Sequence, residues 1–106
     1  MSIKLVNQNG FSVVVLNGEI DLSKSQEVRR ALLEPLAAGH PTLADMSGVT
    51  YIDSSGIAAL VEAHQAARKK SLKFGLLAVS EPVSGVLALA RLDKVFSFLT
   101  EIPSGQ

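Results

Sequence analysis

The sequence predicts an α/β domain: a five-stranded mixed sheet, opened by an N-terminal hairpin, continued by βαβ units and covered by about three helices. Two observations carry this. Runs rich in strand-forming residues alternate along the chain with helical apolar spacing, in the order β-β-α-β-α-β-α-β, which favours a largely parallel sheet. A cluster of turn residues, Asn7-Gln8-Asn9-Gly10, separates the first two runs and makes them an antiparallel hairpin. The 106 residues suit one small domain over positions 1–106, with 101–106 as a polar, frayed tail.

Ile3-Lys4-Leu5-Val6 and Phe11-Ser12-Val13-Val14-Val15-Leu16 form the hairpin strands. The near-continuous apolar run from Val13 to Leu16 suggests a strand covered on both faces. After Asp21 the spacing turns helical, with Ser23 or Ser25 as cap and Val28, Leu32 and Leu36 on one face. Pro35 is expected to kink or shorten the last turn of that helix. Gly39-His40-Pro41 is a loop, and Thr42-Leu43-Ala44 is a short strand candidate. A polar turn then leads to a helix over about 54–69, with Ile57, Leu60, Val61, His64 and Ala67 on one face. Arg68, Lys69 and Lys70 at its end complement the helix dipole. Lys73 to Val79 reads as a buried strand. Ser80-Glu81-Pro82 opens a third helix, Ser80 as cap, with Val83, Val86, Leu87 and Ala90 on its apolar face. Val95 to Leu99 is the last strand.

Composition narrows the function classes. The chain is 47% hydrophobic, enough for a core without external staples, and it has no cysteine, which excludes disulfides and thiol catalysis. Ten basic and ten acidic residues give a formal net charge of zero, with no basic stripe for nucleic acid. No signal-peptide pattern and no membrane-spanning apolar run is present, so a cytoplasmic location is expected. No P-loop occurs, and no Gly-x-Ser-x-Gly elbow surrounds a serine. His40 and His64 have no partners at metal-ligand spacing. An enzyme, a metal centre and a resident cofactor are therefore not expected.

The informative stretch is Asp45-Met46-Ser47-Gly48-Val49-Thr50-Tyr51-Ile52-Asp53-Ser54-Ser55-Gly56-Ile57. It places two hydroxyls where a helix begins and its first N–H groups lack intrahelical partners. Ser and Asp are common there simply as caps. A phosphate is also well placed there and would change the charge of an exposed surface.

That stretch, together with Leu16-Asn17-Gly18-Glu19-Ile20-Asp21, resembles the two signature blocks of the anti-sigma factor antagonists, single-domain proteins of the STAS family. The resemblance spans nearly the whole chain. It implies a partner switch. The unphosphorylated protein binds an anti-sigma factor that is also a serine kinase, and so frees a sigma factor. The kinase phosphorylates the first serine of Asp-Ser-Ser-Gly, binding ends, and a PPM-type serine phosphatase resets the protein. Carried onto this chain, Ser54 is the phosphoacceptor, and Asp21, Asp53, Ser54, Ser55 and Gly56 lie at the partner-binding end. ATP belongs to the kinase.

Each of these residues also has a plainer reading. Ser54 can serve as an N-cap, Ser55 as a first-turn residue, and Asp53 as a charge at the helix dipole. Asp21 can simply end a strand, Glu19 be solvated, and Gly48 serve turn geometry. Ser47 can bond its local backbone. Gly56 permits close approach to a neighbouring element or a partner. Two other functions remain open: an accessory subunit binding the ATPase of a phospholipid ABC transporter, and an enzyme or nucleotide-binding protein acting through Asp21 and the Ser54 loop.

Overall fold

The structure is a computed structural model describing residues 3–104. Strands β1 (Ile3–Gln8) and β2 (Phe11–Ile20) pair antiparallel, from Ile3 opposite Leu16 to Gln8 opposite Phe11. Asn9 and Gly10 turn the hairpin, both with positive φ (54° and 86°). That is the conformation a tight two-residue hairpin demands. Strands β3 (Thr42–Ile52), β4 (Phe74–Leu77) and β5 (Ser97–Leu99) then add in parallel, giving the order β1-β2-β3-β4-β5.

This order decides where the helices go. Each crossover steps to the next strand in the same direction. Right-handed crossovers repeated that way leave every helix on one face. Helices α1 (Leu22–Ala37), α2 (Ser54–Lys69) and α3 (Glu81–Leu89) accordingly share one core with that face. Val28, Leu32 and Leu36 of α1, Leu60 of α2 and Leu87 of α3 are fully buried there, over Val14, Ala44, Met46 and Leu76 of the sheet.

The other sheet face carries no helix. Phe11, Val13, Leu43 and Leu77 form a second cluster on it, with Leu99 and Ile102 packed alongside. The chain after β5 therefore returns over this face instead of fraying at once. The Asn9 side-chain amide donates to the carbonyl of Pro103 (3.3 Å) and ties that segment to the hairpin turn. Residues 105–106 lie outside the described part of the chain.

Several elements differ from the sequence reading. The strand expected at Thr42-Leu43-Ala44 runs on to Ile52, so Asp45 to Ile52 is strand and not a polar turn. Its register against β2 slips twice, between Val15 and Asn17 and between Gly18 and Glu19. These bulges break the alternation that would have revealed the strand. Within the first slip, Asp45 Oδ1 accepts from the Ser47 backbone N–H (3.0 Å) and hydroxyl (2.8 Å). Ser47 thus bonds a side chain where a backbone partner was expected. Gly48 sits in the strand opposite Asn17, and not in a turn; it is glycine there because a Cβ would lie 2.7 Å from Asn17 Cβ.

Helix α1 continues through Pro35 to Ala37. The proline falls in the last turn, where its missing N–H costs one bond, and its ring is buried. Gly39 (φ 89°) then ends the helix, with Gly39 N–H bonded to Leu36 O and His40 N–H to Pro35 O. This is the Schellman arrangement. The strands expected at Lys73–Val79 and Val95–Leu99 are shorter, at Phe74–Leu77 and Ser97–Leu99.

Candidate functional site

Parallel neighbours β2 and β3 end side by side, with Ile20 opposite Ile52 and Asp53 N–H donating to Ile20 O (3.1 Å). Each strand turns into its helix through one extended residue, Asp21 (φ −114°) and Asp53 (φ −105°). Both aspartates are the N-caps. The caps expected at Ser23 or Ser25, and the N-cap reading of Ser54, give way to the aspartates, because the cap must keep extended backbone while its side chain reaches forward. Ser25 is instead buried inside α1.

The two caps have the same construction. Asp21 Oδ1 accepts from Ser23 N–H (3.0 Å) and Ser23 Oγ (2.7 Å). Asp53 Oδ1 accepts from Ser55 N–H (2.9 Å), Ser55 Oγ (2.6 Å) and Gly56 N–H (3.1 Å). The Ser55 hydroxyl, then the Gly56 N–H, hold the Asp53 carboxyl below its ordinary range, and the Leu22 backbone N–H of the neighbouring helix adds to this. The Ser23 hydroxyl lowers Asp21 in the same way, against some desolvation and the repulsion of Asp53.

Ser54 occupies the first position of α2 and is exposed. Among the described residues its hydroxyl makes no hydrogen bond, whereas that of Ser55 is bound to Asp53. Gly56 is buried beneath: a Cβ there would lie 2.7 Å from Ile52 Cγ1 and 2.8 Å from Ile20 Cγ2. The glycine lets α2 start directly on the ends of β2 and β3. Asp21, Asp53, Ser54 and Ser55 therefore share one rim, and Gly56 supports it from inside.

Two apolar side chains on this end of the sheet escaped the sequence reading. Leu22, at the first position of α1, is 75% exposed, and Tyr51, next to the end of β3, is 48% exposed. Leu22 falls outside the apolar spacing of its helix, which was the available signal. Ser80 holds the N-cap position of α3, but its hydroxyl donates to Val49 O (2.8 Å) and makes no cap bond. It fastens the start of α3 to the upper part of β3. His64 packs edge-on against Phe96, ring centres 5.6 Å apart, far along α2 from this rim.

The family model of the STAS domain matches residues 2–103. The chain belongs to the STAS domain family. It is 28% identical over 104 residues to the anti-sigma-F factor antagonist RsfB of Mycobacterium tuberculosis, covering 96% of this chain and 84% of that one. An anti-sigma factor antagonist from Mycobacterium paratuberculosis superposes with a TM-score of 0.85 at 25% identity, over 95% of this chain and 86% of the other. The phosphorylated form of the Bacillus cell fate determinant SpoIIAA has the same fold, with a TM-score of 0.72 at 18% identity over 94% and 93% of the chains. No helix among the described residues is long and apolar enough to cross a membrane.

Proposed function

We propose that this STAS domain is an anti-sigma factor antagonist controlled by phosphorylation of Ser54. Unphosphorylated, it binds an anti-sigma factor that is also a serine kinase and so frees a sigma factor. Phosphorylation ends that binding, and a PPM-type serine phosphatase restores it. The protein acts in the cytoplasm as a binding module and not as an enzyme. Its likeness to RsfB and to the mycobacterial antagonist structure supports the class of partner.

One observation carries the choice of residue. Of the two adjacent serines, Ser55 has its hydroxyl locked to Asp53 at 2.6 Å, and Ser54 presents an exposed hydroxyl with no bond among the described residues. A kinase acting here meets one available nucleophile. The electrostatics fit release of a partner. Asp53 already satisfies the N–H groups of Ser55 and Gly56, so a phosphate at Ser54 finds the positive helix end largely occupied. It adds about −1.5 to −2 charges beside two carboxylates. Partner contact involves Asp21, Asp53, Ser54 and Ser55 with the exposed Leu22 and Tyr51, while Gly56 contributes by seating the helix.

Incubation with ATP and the cognate kinase should add one phosphate, lost in Ser54→Ala and kept in Ser55→Ala. Equal modification of Ser54→Ala would remove the assignment. Affinity purification from the native cell should recover an ATPase-type anti-sigma factor kinase. Recovery of a phospholipid ABC transporter ATPase in its place would favour the accessory-subunit reading.

A further inference from the structure

We propose that the cavity at the far end of α2 from Ser54 binds a small amphipathic carboxylate. Arg68 and Lys73 hold its head group, and the apolar surface of Phe11, Leu43 and Leu99 holds its body. The cavity has a volume of about 410 Å³, within the range of about 300–1,000 Å³ usual for small-molecule sites. Helix α2 has 16 residues, so its two ends are about 24 Å apart at about 1.5 Å per residue. The cavity is thus separate from the phosphoacceptor rim.

It lies at the edge of the sheet where the parallel strands begin, with Leu43, Gly75 and Leu99 from the helix-free side and Ala67 and Arg68 from the end of α2. Gly75 lines it between Leu43 and Leu99. A Cβ on Gly75 would lie 3.2 Å from Ser97 O, 3.3 Å from Leu99 Cδ1 and 3.4 Å from Leu43 Cδ2. The glycine lets these neighbours approach closely, and a larger side chain there would displace the apolar lining. The segment after β5 closes the cavity with Pro103, held by Asn9 (3.3 Å).

The rim has one sign of charge. Arg68 and Lys73 line it with His64, and no Asp or Glu does. Neither Arg68 nor Lys73 is ion-paired among the described residues, where Arg29 and Glu62 form the salt bridge. Arg68 also offsets the dipole of α2. Lys73 lies beyond the helix, so the dipole does not account for it. A guanidinium and an ammonium over an apolar floor match a carboxylate with a short hydrocarbon body.

The test is titration of the protein with decanoate below its micelle-forming concentration, followed by backbone amide NMR. Saturable shifts are expected at Phe11, Ala67, Leu72, Gly75 and Leu99, with none at Ser54 to Gly56. Arg68→Ala combined with Lys73→Ala should weaken decanoate about tenfold, or about 1.4 kcal/mol, in a protein that still melts cooperatively, with only the small loss expected from removing Arg68 at the helix end. Decan-1-ol should bind more weakly than decanoate to the wild type and equally to the double variant. Gly75→Leu should abolish binding; if it fails to fold, Gly75→Ala should weaken binding in a folded protein. Absence of saturable shifts, shifts confined to other surfaces, or equal affinity for the alcohol would overturn the proposal. So would binding to anionic phosphatidylglycerol vesicles without binding of monomeric decanoate, which would make the cationic rim a membrane contact.

Discussion

Helices α1 and α2 begin in the same way and differ at one telling position. Each starts with Asp-x-Ser, and in each the aspartate Oδ1 holds both the N–H and the hydroxyl of the serine two residues on. The middle residue is left with its side chain outside this bonded pair. In α1 it is Leu22, and in α2 it is Ser54. Two identical frames thus hold out an apolar side chain and a hydroxyl on neighbouring strand ends. The cap fixes which serine is free, and the exposed position is where the two helices are free to differ.

The frames also differ one turn in. Three residues after the cap, α1 has Lys24 and α2 has the buried Gly56. Replacing Gly56 should give the largest effect. Gly56→Ala gains helix propensity of about 1 kcal/mol yet forces a methyl group to within 2.7 Å of Ile52. A net loss of about 1–3 kcal/mol is expected from overpacking, read by thermal melting. A stabilised variant would show that α2 does not rest on Ile20 and Ile52.

Next come the caps. Asp53→Ala removes three bonds and Asp21→Ala removes two, so the first should lower the melting temperature more. Acid sharpens this comparison. Both carboxyls are held below 3.8 when folded, so the unfolded chain takes up these protons first as pH falls. Their contribution is complete above about pH 4 and is lost as pH drops through the lowered folded values. Asp53→Asn keeps an acceptor without the charge. Its melting temperature should fall less steeply than the wild type's below about pH 4. Identical acid profiles would show that the ionised cap adds nothing.

The ends of the helices give the smallest effect. Gly39 closes α1, whereas Ser71 (φ 56°) and Arg91 (φ 61°) close α2 and α3 with the same pattern of bonds. A left-handed backbone costs an ordinary residue about 1–2 kcal/mol. Ser71→Gly and Arg91→Gly should therefore each stabilise by a fraction of that, about 0.5 kcal/mol, in chemical denaturation. Destabilisation in both would show that the side chains contribute more than the strain costs.

Much of this was legible in the chain. The alternation of elements was visible because Val28, Leu32 and Leu36, and then Leu60 and Ala67, keep helical spacing and are buried where expected. The rim was visible through the two signature blocks, which set Asp21 and Asp53 just before helical spacing begins. Which residue caps was not, since Asp and Ser are both good capping types and only backbone geometry chooses between them. The length of β3 was hidden by its bulges, where Asp45, Ser47 and Gly48 look like a turn. The cavity was invisible because Phe11, Gly75 and Pro103 are brought together only by the sheet and the returning segment.

The most direct test of the account is a titration of the anti-sigma factor kinase with phosphorylated and unphosphorylated protein, alongside thermal melting of both. A phosphate on an exposed, already capped helix start should leave the melting temperature nearly unchanged. Like charges about 4 Å apart across an interface can repel strongly enough to weaken binding by tenfold or more, and a fall of at least that size is expected. An affinity that does not fall, or a phosphorylated protein that no longer holds its fold, would contradict a switch worked by surface charge at Ser54.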